Sequence, residues 1–197
     1  RVARGELPPL KDRLPEAPYV IEPAERIGDY GGTIRIFHRD GPLMMGLTNP
    51  LTMDPQGRGI LPNLVKAWEY GDGGRALTLH LRRGLRWSDG HPFSAYDWVF
   101  EHERVRLNKE LTPVIQPRWI GATVTAPDSL TIVFAFKDPH PFYVNELAHG
   151  GSNRFLPAHF LRDYHPDFVE RDTIIDRATR AGYISWMAYF TAVRREG

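Results

Sequence analysis

From Leu130 to Phe136 every second residue is large and apolar, with Leu130, Ile132, Phe134 and Phe136 sharing one parity. Period two is that of a strand with one buried face, so a strand is predicted there, paired with a second over 121–125 across Ala126, Pro127 and Asp128. A different period governs the segment before it. Ala95, Trp98, Val99, His102 and Val105 recur every three or four positions, a helical stripe that faces a core and leaves Glu101, Glu103, Arg104 and Arg106 on the wetter side. Ser94, three residues before Asp97, is expected to cap that helix.

Weaker patterns fill in the rest. Leu61 to Trp68 reads as a short helix. Trp68–Tyr70 then faces Ala76–Leu81 across Asp72, Gly73 and Gly74, the spacing of a β-hairpin. After Gly31 and Gly32, the β-branched run Thr33 to His38 predicts a strand, and 39–56, rich in Gly, Pro, Asn and Met, predicts a long loop. Beyond Pro139 the pattern is helical, interrupted at Gly150, Gly151, Pro157, Pro166 and Gly182, and it ends in the aromatic stretch 183–190. Prolines at 8, 9, 15, 18 and 23 make 1–30 an extended arm, leaving 31–197 as the globular portion. Strands early and helices late predict an α+β fold.

Composition narrows the function classes. With 25 Lys and Arg against 24 Asp and Glu, and no block of like charge, nothing marks a nucleic-acid partner or an anionic membrane surface. The chain has no cysteine, which removes disulfides, thiolate nucleophiles and zinc–thiolate sites. Its apolar runs, such as Ile132 to Phe136, fall far short of the roughly 20 residues that span a bilayer. Residues 1–6 lack the apolar centre of a signal peptide, so an exported form is expected to have lost its signal.

Catalytic signatures do not appear. Phe100-Glu101-His102-Glu103 lacks the second histidine of a zinc helix, and His149-Gly150-Gly151-Ser152 has the letters of an oxyanion strand without any nucleophile elbow. His38, His159 and His165 do not have ligand spacing, and Glu101 and Glu103 point to different sides of a helix. Neither a metal nor a cofactor is expected. Aromatic residues are 12% of the chain, and Trp119 and Trp186 stand outside the clean stripes, where an indole can stack on a ligand or fill a core.

The run Leu61-Pro62-Asn63-Leu64-Val65-Lys66-Ala67-Trp68, the Asp-Gly hairpin turn, and L-R-R-G-L-R-W-S-D-G-H-P-F-S-A-Y-D-W-V-F over 81–100 resemble, in order and spacing, the signature of family 5 extracellular solute-binding proteins of ABC importers. Gly31-Gly32-Thr33-Ile34-Arg35 resembles the family's first strand, and Phe155-Leu156-Pro157-Ala158-His159-Phe160-Leu161 its P-x-H-x-L segment. The resemblance runs over residues 28–165 and fades after 167. It implies part of the first lobe of a two-lobed, periplasmic-binding-protein-like fold of type II, class C, a mixed sheet with flanking helices, whose second lobe this chain does not include.

By the same resemblance the function is extracytoplasmic capture of an oligopeptide or oligosaccharide by hinge closure, without bond breaking. The implied partners are the solute and the ABC permease subunits. No nucleic acid, a monomeric state, and a periplasmic or extracellular location, with or without a lipid anchor, go with it. The family layout places Asp40, Leu43, Met44, Met45 and Asn49 at the mouth of the cleft, with Trp119 and the turn Gly151, Ser152, Asn153 along it. Two rival readings are a hydrolase, which would show two nearby carboxyls with one raised pKa, and a binding module that senses without transport.

Overall fold

The computed structural model describes residues 9–20, 23, 26, 49–149 and 155–196. The strand expected at Thr33–His38 lies outside them. The elements are β1 (Leu51–Met53), β2 (Ile60–Pro62), β3 (Val65–Gly71), β4 (Ala76–Leu81), α1 (Tyr96–Phe100, continued by a π-helical stretch Glu101–Arg106), β5 (Thr123–Asp128), β6 (Thr131–Ala135), α2 (Tyr143–His149), α3 (Ala158–Leu161), α4 (Arg171–Arg180) and α5 (Trp186–Glu196). β1 and β2 form an antiparallel pair, and the remaining strands form an antiparallel sheet in the order β3-β4-β6-β5. The architecture is α+β, as the order of patterns predicts.

The clearest patterns are found where they were expected. Ile132 and Phe134 on β6 are buried beside Leu77, Leu79 and Leu81 of β4, and Phe136 just beyond β6 is buried with them. The hairpin pairs Trp68 with Leu79, Glu69 with Thr78 and Tyr70 with Leu77. Its turn runs through three successive left-handed residues, Asp72 (φ 46°), Gly73 (58°) and Gly74 (88°). Two glycines and an aspartate are the residues that tolerate this at least cost.

Leu61 to Trp68 is not a helix. Its residues belong to β2, a two-residue bend at Asn63 and Leu64, and β3, and the reason is a β-bulge between Val65 and Ala67, where β3 advances two residues against one from Leu81 to His80. The extra residue puts Val65 and Trp68, three apart, on the same face, opposite Leu81 and Leu79. A spacing of three then imitates a helical period. The loop expected over 39–56 is also corrected in its described part. Leu51–Met53 pairs with Ile60–Pro62 because Asp54 closes the connecting turn, accepting from the Gln56 backbone N–H (2.8 Å) and Arg58 Nε (2.7 Å).

Two apolar cores result. The first lies under the main sheet and gathers Trp98, Trp119, Phe134, Phe136, Tyr143 and Leu147. The second, formed by α3, α4, α5 and the end of the α1 stretch, gathers Phe100, Val105, Leu161, Ile174, Trp186 and Phe190. The arm enters the described structure at 9–20, where the Glu16 N–H donates to the Arg83 carbonyl (3.2 Å) and Arg82 donates to the Ala17 carbonyl. Gly84 (φ 82°) sits where an added Cβ would lie 3.4 Å from the Pro15 backbone, so a glycine there permits the close approach.

Candidate functional site

Asn49 is where the sequence-derived candidates meet the described structure. Its side-chain amide donates to the carbonyl of Ala148 on α2 (3.1 Å), and its own carbonyl accepts from Asn63 Nδ2 (2.7 Å). Asn63 follows β2, and its carbonyl in turn accepts from Arg82 Nε (2.5 Å). The Val65 N–H donates to the Pro50 carbonyl (2.9 Å), and Leu51 is fully buried. A chain of two asparagines and one arginine therefore fixes position 49 against both the sheet and the end of α2.

The consequence concerns two stretches of sequence at once. Asp40, Leu43, Met44 and Met45 precede Asn49, and Gly151, Ser152 and Asn153 follow His149; all seven lie outside the described residues. The points at which these two stretches join the described structure are one hydrogen bond apart, through Asn49 and Ala148. On the far side of the second stretch, Phe155 packs against Trp87 (5.9 Å between ring centroids), Phe93 (4.8 Å) and Trp98 (5.5 Å).

Trp119 does not join this group. It is 2% exposed, with the Arg106 guanidinium 4.1 Å over its ring and Phe136, Tyr143 and His102 around it. It meets α2 at Tyr143, about 7.5 Å along the helix from Ala148, to which Asn49 is anchored. The indole fills the first core, and its position as a cleft residue is corrected accordingly. Trp186 is likewise buried, and its Nε1–H donates to Glu110 (2.7 Å), a carboxylate that Arg171 also holds (2.5 Å).

Sequence reasoning missed the role of Asp97. Buried at the start of α1, it accepts from the Ser94 N–H (2.9 Å) and Trp87 Nε1 (3.2 Å), and through its other oxygen from the Ala158 N–H (3.0 Å). The cap runs opposite to the expected direction. The Ser94 hydroxyl lies 3.5 Å from the same carboxylate and does not cap a helix N–H. The spacing Trp87, Ser94, Asp97 is thus a knot that ties the 87–92 turn, α1 and α3 together. The dense motif around it secures the fold. His159, on α3, stacks on His91 (3.8 Å between rings) and touches Asp89 (2.7 Å) on the outer side of that turn.

Electrostatics weigh on the hydrolase reading. Asp54, Asp89, Glu110 and Asp128 are each held below the usual carboxylate range, mainly by hydrogen bonds, from Arg58, His159, Arg171 and the Leu130 N–H respectively. None of the four is a carboxyl kept protonated for acid catalysis. Burial lowers His102 to about 4 and also lowers His165, so both rings are neutral at pH 7. Among the described residues no group of three or more His, Asp or Glu side chains is arranged to hold a metal ion. No described helix is long and apolar enough to cross a membrane.

Comparison with known proteins adds what the geometry alone does not carry. Residues 59–180 match the family described as "Bacterial extracellular solute-binding proteins, family 5 Middle". The periplasmic alpha-galactoside-binding protein of Rhizobium meliloti (strain 1021) is 31% identical over 200 residues, covering 85% of this chain and 28% of the relative. Among solved structures, an oligopeptide-binding protein OppA aligns with a TM-score of 0.83 at 32% identity, over 96% of this chain and 31% of that one. The periplasmic binding protein MelB of Agrobacterium fabrum C58, in complex with stachyose, aligns with a TM-score of 0.70 at 30% identity, over 86% and 30%. The chain thus spans less than a third of the length of these relatives.

Proposed function

Because the chain belongs to the bacterial extracellular solute-binding proteins of family 5, we propose that it forms part of one lobe of a protein that captures a solute outside the cytoplasm for an ABC importer. The observation that carries this reading is the Asn49–Ala148 hydrogen bond, at which both candidate ligand-facing stretches join the described structure. A rigid base under two chain segments is what a binding rim requires, since ligand contacts made by segments need a scaffold that holds their ends. Closure of a second lobe over this rim, driven by tighter binding in the closed state, completes the mechanism and presents the solute to the permease. The protein acts as a monomer in the periplasm or at the outer cell surface, and it breaks no bond.

An oligosaccharide of the α-galactoside class is the proposed solute. The names of the Rhizobium relative and the stachyose complex support it. An oligopeptide is the second reading, supported by the likeness to OppA. A chimera in which this chain replaces the matching portion of the Rhizobium relative tests both, by calorimetry with stachyose and with tri- and tetrapeptides. Retained stachyose binding supports the first reading, and a switch to peptide binding supports the second. A folded chimera that binds neither overturns the assignment of Asp40, Leu43, Met44, Met45, Asn49, Gly151, Ser152 and Asn153 to the rim.

A further inference from the structure

After Phe100 the helix widens. Glu101–Arg106 is π-helical, and the Leu107 N–H reaches back five residues to the His102 carbonyl (2.9 Å). Residues five apart on an α-helix diverge by about 140°. The wider turn instead brings Glu101 and Arg106 together, with Arg106 Nε and Nη2 at 3.0 and 2.8 Å from one Glu101 oxygen, both side chains nearly buried. The same widening leaves a gap between this turn and the sheet. A void of about 10 Å³ is lined by Trp98, Glu101, His102, Arg106, Trp119 and Tyr143, among others.

Two of the lining residues carry a buried polar atom that has no partner among the described residues, Trp98 Nε1 and His102 Nδ1. Their chemistry is complementary. Indole Nε1–H can only donate. His102 Nε2 lies 3.3 Å from the Ala122 carbonyl, which can only accept, so Nε2 carries the ring proton and Nδ1 presents a lone pair. One donor and one acceptor, four residues apart along the helix, thus belong to residues that line one small space. A cation there would face the indole N–H and the Arg106 guanidinium; an anion would face the His102 lone pair and the Glu101 carboxylate. Only a neutral molecule that both donates and accepts suits the two walls, and the volume is at the lower bound for a single water.

We propose that one water molecule is bound at this site, accepting from Trp98 Nε1–H and donating to His102 Nδ1, with the Glu101 carboxylate as a further acceptor on the same wall. The water is an integral part of the first core and lets the π turn coexist with a close-packed sheet. It belongs to the chain's own fold and does not depend on the solute-binding reading.

Nuclear magnetic resonance of the folded chain tests it. Magnetisation transfer from water is expected at the Trp98 indole proton and at the carbon-bound ring protons of His102, with the sign of a long-lived bound water. A Trp98 indole proton and a His102 ring that show no such transfer overturn the site, because a dry void or a direct bond between the rings would give that result. In Trp98→Phe the transfer at His102 should disappear, since its bridge has lost one end. Persistence at full strength in a folded Trp98→Phe overturns the bridging arrangement, and the wild-type measurement stands by itself if that variant does not fold.

Discussion

The two cores each bury one histidine, and they treat it differently. In the helical core, His165 is fully buried yet satisfied on both nitrogens, with Nε2 on the Arg104 carbonyl (2.9 Å) and Nδ1 accepting from the Asp167 N–H (3.2 Å). In the sheet core, His102 is satisfied on one nitrogen only. Short helices and turns supply free backbone groups around His165, whereas a sheet has already spent its own on neighbouring strands. The second nitrogen of a polar ring under a sheet therefore depends on something other than the backbone, and that of a polar ring among helix ends does not. The sheet core gains apolar contact from its mostly edge-on aromatic cluster, and the helical core gains order from hydrogen bonds.

Mutation sharpens this contrast. Trp119→Ala, which empties the centre of the sheet core, is expected to cost about 4 kcal/mol in chemical denaturation, the usual scale for a deleted buried aromatic ring. Asp97→Ala is expected to cost about 3 kcal/mol, because it strands three N–H donors, and to let the two cores unfold separately. Separate denaturation transitions for the two cores in Asp97→Ala, read by the fluorescence of Trp119 and Trp186, would show that this knot couples them. A single transition would show that the coupling lies elsewhere.

Acidification comes next. His102 has a folded pKa of about 4 against an ordinary value of 6.5, so below pH 6.5 the unfolded chain takes up a proton that the folded chain refuses. The His102 contribution should fall as pH drops from 6.5 and level off below about 4, a loss on the order of 2 kcal/mol after allowance for partial hydration, and the depressed carboxylates Asp54, Asp89, Glu110 and Asp128 lower stability further below their ordinary range. His165 adds to it with the same sign. Urea midpoints measured across this range check the slope, and a flat profile would show that neither ring is held neutral by burial. The smallest effect is expected in the helical core, where Trp186→Phe keeps most of the ring contact and loses the bond to the half-exposed Glu110, at about 1 kcal/mol.

Much of this was legible along the chain. Alternation exposed β6, the stripe from Ala95 to Val105 exposed the helix, and Asp-Gly-Gly exposed the hairpin turn, because each depends on residues close in sequence. The site was legible only in part. Asn49 was a candidate from its position in a family-like loop, but its anchor Ala148 is 99 residues away and offers only a carbonyl, which no side-chain pattern can advertise. Trp119 was misplaced for the opposite reason. An indole between a proline and a turn looks free to bind, and what covers it, Arg106 and the rings of Phe136 and Tyr143, comes from three other segments.

What the sequence by itself determined is local: which stretches are strand or helix, where the turns need glycine, and which family motif the chain carries. The tertiary structure alone decided the bulge that turned Leu61–Trp68 from an apparent helix into two strands, the burial of Trp119, and the anchoring of Asn49 to α2. The physical reason is the same in each case. A period or a turn is written in neighbouring residues, whereas a bulge, a covered ring and a carbonyl partner exist only once distant segments compete for the same space and the same hydrogen bonds.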